Sequence, residues 1–383
     1  MSIFFWEQYN LESLNQLQAL LDKDQYIYYV DLHTHSDFSA DGKQTVQDII
    51  ERAAELQFDV ISITDHDSVQ AYHIIKDIVR EYSLIGRSIP IIIPGIEFTV
   101  RYKEYGDMCH ILKYGFNPES TALKNNLENN IAAFWRRAER QFDQIERNQT
   151  LNYFSNQYHI HFSISEYEQY LKACKVSTPE YPSLISYIHA KLEPCNIPLG
   201  EIVSHIEQDI KSDPSETRAK LRTLAINRFK SKYKHIFGSS MYPSRLLSPL
   251  FSVRGIDDED YPEHDTSGNL SIRNYGQLEI NELFKEGITV FAHPNGDKLH
   301  LMRDCLNMDI NLCALELNKR NRHATMDHIK TKAEELGLFV TRGSDNHEKS
   351  NQLYEEMSFY ETSKTDLMAL FHALKKSNEA RQR

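Results

Sequence analysis

The chain has 383 residues, 40% apolar and 26% charged, enough to bury one large core or two ordinary ones, which excludes a disordered or low-complexity protein. A net charge of −12 excludes a broadly basic coat for duplex nucleic acid, and no apolar run is long enough for a transmembrane helix. Five scattered cysteines (Cys109, Cys174, Cys195, Cys305, Cys313) form no CxxC pair, and the N-terminus lacks the basic region and apolar run of a secretory signal, so a soluble cytoplasmic protein is expected.

Residues 11–23 space Leu11, Leu14, Leu17, Leu20 and Leu21 as an amphipathic helix. The period then changes. Ile27 to Leu32 predict a strand running into His33, Val46 to Leu56 a helix capped by Thr45, and Val60 to Thr64 a second strand ending at Asp65-His66-Asp67. A helix over 69–82 and a strand from Ile89 to Ile96, closing at Glu97, complete the strand–helix alternation of a parallel α/β sheet or barrel. From 118 the alternation lapses. Residues 119–148 predict one or two helices, with Arg136, Arg137 and Arg140 three or four apart, and further helical stretches reach 237. Residues 239–275, with Pro243, Pro249, Pro262, Gly255, Gly268 and the acidic run 257–260, predict a loop or linker. The α/β pattern resumes with a helix over 277–286, a strand from Thr289 to Ala292 ending at His293, a strand near Ala314 to Leu317, a helix over 324–336 and a strand from Leu338 to Thr341 ending near Asp345. The simplest organisation is an α/β body, 1–117 and 276–383, interrupted by a mostly helical insertion, 118–275.

Charge is unevenly spread. Residues 211–254 hold ten Lys/Arg against only Asp213 and Glu216, with Phe229, Tyr233, Phe237 and Tyr242 interleaved. A solvated helical face with core aromatics is the plain reading, and a groove for single-stranded nucleic acid the functional one.

Polar residues at strand ends carry the chemistry, because the C-terminal edge of an α/β barrel is where loops aim side chains at one point. His33 and His35, two residues apart in extended chain, point the same way and can grip one metal. Asp41 follows in a turn, and His66 sits between Asp65 and Asp67, which can orient it from outside. Glu97 at the end of an apolar strand needs a partner, and a place between two cations would supply it. His110, His293, Asp345 and His347 complete the series.

Taken in order, Asp31-Leu32-His33-Thr34-His35-Ser36, Thr64-Asp65-His66-Asp67, Gly95-Ile96-Glu97, His110-Ile111-Leu112-Lys113-Tyr114-Gly115, Ala292-His293-Pro294 and Gly343-Ser344-Asp345-Asn346-His347 resemble the motifs of the PHP (polymerase and histidinol phosphatase) family, over roughly 27–117 and 276–350. Asn346 stands where that family often has an aromatic residue. The resemblance implies a distorted (β/α)7 TIM-like barrel with the helical insertion. It also implies two or three divalent ions of zinc, manganese or iron, a preference that the mixed imidazole and carboxylate donors share. By similarity His33, His35, Glu97 and Asp345 would hold one ion, Asp41, His66 and His347 a second, and Glu97, His110 and His293 a third.

The expected activity is hydrolysis of a phosphomonoester or nucleotide-type phosphate by a metal-activated hydroxide, with Asp65, Asp67 and His300 as candidates for outer proton transfer. Arg136, Arg137, Arg320, Arg322 and Arg342 are candidates to grip the phosphate. The expected partner is a small phosphorylated substrate, in extended form a nucleotide or short single-stranded nucleic acid, with no membrane. The alternatives are an exonuclease on single-stranded RNA or DNA ends, a histidinol-phosphate-type phosphatase, and a non-catalytic PHP module used for binding. Loss of ligands would mark the last, and none is missing from the sequence.

Overall fold

The structure is a computed structural model that describes residues 2–39, 41–102, 108–174, 176, 179, 181–212, 216–247, 270–272, 286–294, 311–319, 321, 323–349 and 354–381. Two compact units emerge, Met1–Asn130 with Glu263–Arg383, and Ile131–Pro262. No helix among the described residues is long and apolar enough to cross a membrane.

The first unit is mixed α/β. It begins α1 (Ser2–Leu21), β1 (Ile27–Thr34), α2 (Val46–Glu55), β2 (Val60–Ile63), α3 (Ala71–Leu84), β3 (Ile91–Ile92), β4 (Gly95–Tyr102), β5 (Met108–Tyr114) and α4 (Thr121–Arg147), the last running on past residue 130. Local rules account for much of this. Thr45 caps α2 by accepting the Asp48 N–H at 3.0 Å, while the Asp48 carboxylate accepts the Thr45 N–H at 3.2 Å, and Val46, Ile49, Ile50 and Ala53 bury one face. Losing that cap would cost about 1 kcal/mol.

The second unit contains α5 (Gln149–Tyr158), α6 (Ile164–Ala173), α7 (Tyr181–Leu192), α8 (Leu199–Lys211) and α9 (Glu216–Tyr233). Asn148 and Ser163 cap α5 and α6 through their side chains, and Phe154, Tyr167, Leu184, Ile188, Ile202 and Ile206 form a core of its own. The chain then returns through β6 (Leu270–Ile272), β7 (Ile288–Phe291), β8 (Leu312–Asn318), α10 (His323–Leu336), β9 (Phe339–Gly343), β10 (Glu361–Ser363) and α11 (Lys364–Arg381). Residues 270–272, expected as linker, pair antiparallel with β4. The acidic run 257–260, and the expected helix 277–286 apart from Glu286, lie outside the described residues.

The strands form two sheets, ordered β10-β1-β2-β3 and β6-β4-β5-β7-β8-β9. β1, β2 and β3 are parallel, as are β7, β8 and β9, the arrangement that strand–helix alternation predicts. β5 departs from it. Residues 103–107 are too short for a crossover, so β5 turns back antiparallel to β4 and also runs antiparallel to β7. The two sheets are stitched at their edges. Asp345 N–H donates to the His33 carbonyl at 2.8 Å and His35 N–H to the Asn346 carbonyl at 2.9 Å, while His66 and Glu97 form a parallel bridge between the ends of β2 and β4.

Candidate metal centre

β1 carries one extra residue against β2, because its register moves from Asp31↔Ile61 to Thr34↔Ile63. Such a bulge re-aims side chains, and here it falls at Leu32-His33. His33 and His35 are wholly buried, and their Nε2 atoms lie 3.0 Å apart. The reversed direction of β5 explains His110, which stands near the start of its strand and pairs in register with Thr99. A strand running against its neighbours presents its first residues where theirs end.

Glu97 is the meeting point. It is fully buried, with Oε2 at 3.0 Å from His33 Nε2, 3.1 Å from His35 Nε2 and 3.2 Å from His66 Nδ1. Its other oxygen, Oε1, lies 2.8 Å from His110 Nδ1 and 3.0 Å from His293 Nε2. Asp345 Oδ1 stands 3.3 Å from His35 Nε2 and 3.6 Å from His33 Nε2, and Asp41 Oδ2 stands 3.1 Å from His347 Nε2 and 3.8 Å from His66 Nε2. Three sets bring their donor atoms within 4.8 Å of one another: His35, Asp41, His66 and His347; His33, His35, Glu97 and Asp345; and His66, Glu97 and His110. Imidazole nitrogens and carboxylate oxygens converging from several strands fit a divalent transition-metal ion. The grouping differs from the sequence allocation in three ways, since His35 belongs to two sets, His66 reaches the set of Glu97 and His110, and His293 is not in that set. His293 adjoins that third set through Glu97 Oε1 and through His110 Nδ1 at 3.2 Å.

The electrostatics fit mutual compensation. Burial opposes the charge on Glu97, yet the imidazoles of His33, His110 and His66 hold its carboxyl well below the usual range. Burial likewise works against a charged His33, but Glu316 and Glu97 outweigh it and raise its pKa well above the ordinary value. Asp345 and Asp41 are also held low, against burial, by His35 and His33 in one case and by His347 and His66 in the other. His110 goes the other way, pushed down to about 4 by burial with only part of that returned by Glu97. Three residues here adopt left-handed backbone, Asp67 (φ 47°), His293 (φ 61°) and Asp345 (φ 54°), a strain that proteins retain mainly where geometry serves a site.

The outer candidates fare differently. Asp65 accepts the Ser36 N–H at 2.6 Å and the Ser36 hydroxyl at 2.7 Å, so both its oxygens anchor the loop after β1. Asp67 donates its N–H to the Glu97 carbonyl at 2.9 Å, and its Oδ1 accepts the Thr99 N–H at 3.4 Å. Both carboxylates bind backbone around the ligand candidates. Arg342 is a correction: it shares the outer face of β9 with Val340, and its guanidinium donates to the Phe359 carbonyl at 2.8 Å and lies over the Phe359 ring. The opposite face is the one that looks on the site, since a Cβ at Gly343 would collide with Glu316 and His33. A strand-end position fixes how far along the strand a residue lies but not which face it uses. Arg136 is exposed on α4 within the second unit, while the side chains of Arg137 and Arg140, and residues His300, Arg320 and Arg322, lie outside the described residues.

Sequence reasoning missed Glu316, whose Oε1 lies 2.7 Å from His33 Nδ1. The available signal was one carboxylate inside the apolar run Leu312 to Leu317, which burial alone would forbid. It also passed over Asp31 as an organiser. This residue is buried, accepts from the N–H groups of Ser344 and His33, and has its pKa pushed up to about 6 by burial.

Part of the basic segment is engaged internally. Arg222 pairs with Asp209 at 2.6 Å and Lys230 with Glu207 at 2.8 Å, both on α8, and Lys220 pairs with Glu216. Phe229 and Tyr242 are buried in the second unit's core, with Tyr233 and Phe237 packed against it.

Comparison with known proteins gives a match to the PHP domain over residues 31–240, a span that runs through the helical unit and stops short of His293, Asp345 and His347. No curated protein matches. Among solved structures, the chain is similar to a protein from Bifidobacterium adolescentis assigned to the metal-dependent phosphoesterases, at 17% identity and a TM-score of 0.45, covering 86% of this chain and 96% of that one. It is similar to an amidohydrolase from Chromobacterium violaceum with bound sulfate and no metal, at 17% identity and a TM-score of 0.45, covering 89% and 99%. It is also similar to a two-domain protein from Bacteroides vulgatus containing a predicted PHP-like metal-dependent phosphoesterase, at 11% identity and a TM-score of 0.37; there it covers 94% of this chain but only 65% of the other.

Proposed function

The chain belongs to the PHP domain family, and from that premise we propose that it is a metal-dependent phosphoric ester hydrolase acting on a small phosphomonoester or nucleotide-type phosphate. One observation carries the reading. The two oxygens of a single buried carboxylate, Glu97, face different sets of imidazoles, His33, His35 and His66 on one side and His110 and His293 on the other. That is the placement required of a group shared between cations.

His33, His35, Glu97 and Asp345 would hold one ion, Asp41, His66 and His347 a second, and Glu97, His110 and His293 a third. Bound there, such ions lower the pKa of water toward neutrality and offset charge on phosphoryl oxygens. The chain's own residues do the rest. Asp65 and Asp67 tie the loops that carry His35 and His66 to the neighbouring backbone, including β4 beside Glu97, and wholly buried side chains such as His33, His35 and Glu97 keep bulk water from the floor of the site. The edge stitches at His33–Asp345 and His66–Glu97 support closing the two sheets toward the distorted (β/α)7 barrel that the family resemblance implies.

A small substrate is favoured over a nucleic-acid end. Two of the cations on α9 that a backbone groove would use, Arg222 and Lys230, are paired with α8, and the aromatics that would stack on bases belong to a core or pack against it. The test is a panel of phosphomonoesters, histidinol phosphate included, with cyclic phosphodiesters and short oligonucleotides, assayed with zinc, manganese or iron and after chelation. Metal-dependent turnover of a small phosphoester with little salt dependence is expected. Turnover restricted to oligonucleotides, falling steeply with salt, would mark the exonuclease instead; no turnover of any ester by the metal-loaded chain would leave a binding module.

A further inference from the structure

Glu316 stands between Leu315 and Leu317, all three essentially without solvent exposure. Alternation along β8 sends the two leucines into the core that contains Ile49 and Ile329, while Ala314 and Glu316 take the other face. There Glu316 Oε1 meets His33 Nδ1 at 2.7 Å. The second nitrogen of the same ring, Nε2, lies 3.0 Å from Glu97 Oε2 and 3.6 Å from Asp345 Oδ1. One imidazole is therefore held at both nitrogens, by the proposed ligands on one side and by the Glu316 carboxylate on the other. Gly343, on the adjacent strand β9, makes room for this pair, since a Cβ there would overlap both the Glu316 carboxylate and His33 Cβ.

We infer that Glu316 is a positioning residue for the metal centre, acting through His33; this rests on the proposed metal-dependent reading. A neutral imidazole carries its proton on either nitrogen and can turn about its side-chain bonds. A buried carboxylate accepting from Nδ1–H selects the tautomer whose Nε2 lone pair faces Glu97 and Asp345, fixes the ring plane, and makes the ring a better donor. The other rings have weaker versions of this support. Ser39 Oγ lies 3.2 Å from His35 Nδ1, and His347 Nδ1 lies 2.8 Å from the Asp345 carbonyl. Only His33 has a carboxylate outside the proposed ligand sets as its support among the described residues. A packing role alone would be met as well by an apolar side chain, which makes retention of a charge at 316 informative.

The test uses zinc alone as the probe, with the full chain titrated against a chromophoric chelator. The proteins compared are wild type, Glu316→Ala, the near-isosteric Glu316→Gln, His33→Ala and the His33→Ala/Glu316→Gln double variant. Glu316→Ala is expected to weaken the tightest zinc about 10–100-fold and Glu316→Gln by less, as for other groups that orient a metal-bound histidine. With His33 replaced, Glu316→Gln should cause no further loss, because the two residues act as one unit. Wild-type zinc affinity in Glu316→Gln and Glu316→Ala alike, or an equal loss from Glu316→Gln with and without His33, would overturn the inference while leaving the metal centre intact. A wild-type chain that binds no zinc, manganese or iron overturns the metal centre and this role with it.

Discussion

The two units treat charge in opposite ways. In the first, Asp31, His33, His35, Asp65, Glu97 and Glu316 are buried against one another at the strand ends. In the second, the core is built from side chains such as Leu184, Ile188, Ile202 and Phe154, and its cations sit at the surface or half-buried in pairs with acids, as Lys230 does with Glu207 and Lys191 with Glu166. Taking ions out of water costs several kcal/mol each before compensation, so a fold tolerates a nest of them only where something other than stability is served. The second unit carries the ordinary solution and the first the exception, and the exception marks the site.

Replacing Glu97 with Ala should have the largest effect, because both of its oxygens are engaged. Metal affinity is expected to fall by more than about 100-fold, or roughly 3 kcal/mol, with hydrolysis lost alongside, as read by chelator competition and a phosphatase assay. The matching change in the other unit is Leu184→Ala. Leu184 is fully buried, so the variant should lose about 2–5 kcal/mol in denaturant unfolding yet keep its metal content while folded. If instead Leu184→Ala lost metal as Glu97→Ala does, the contrast between the units would fail.

A smaller effect sharpens the comparison within the first unit. Lys113 on β5 is buried, and burial pushes its pKa down to about 7 with only partial relief from Glu286. A lysine depressed in the folded state and near 10.4 when unfolded gives the unfolded chain more bound protons across that interval. Stability therefore rises with pH between the two values, and the penalty is complete below about 7. Lys113→Met should raise stability by about 1–4 kcal/mol below pH 7, with the gain fading toward pH 10. A pH-independent gain, or a loss, would show that this ammonium serves the fold as an ion. Least affected should be Lys230→Ala in the second unit, which breaks a half-buried pair at the surface and should cost no more than about 1 kcal/mol by thermal or denaturant melt.

Much of the candidate site was legible because the imidazoles and carboxylates that cluster there sit at or just beyond the ends of apolar runs, as Glu97 follows Ile96 and His293 follows Ala292. Parallel strand–helix alternation was legible for β1 to β3 and β7 to β9 for the same reason. The antiparallel course of β5 was not read, although the short stretch from Tyr102 to Met108 leaves no other course. Arg342 misled because proximity in sequence to Asp345 says nothing about strand face, and Asp65 and Asp67 drew attention as acids where their observed partners are backbone and Ser36. Glu316 escaped notice because its partner, His33, lies 283 residues away in sequence. Phe229 and Tyr242 show the limit of spacing from the other side, since interleaving with lysines looks the same whether an aromatic ring faces solvent or a core.

Anomalous diffraction from crystals grown with zinc or manganese tests the central claim most directly. The account predicts strong peaks on both sides of the Glu97 carboxylate, one within ligand distance of His33, His35 and Asp345 and another beside His110 and His293. Crystals with no anomalous density between these side chains, or with the metal bound elsewhere on the chain, would contradict it.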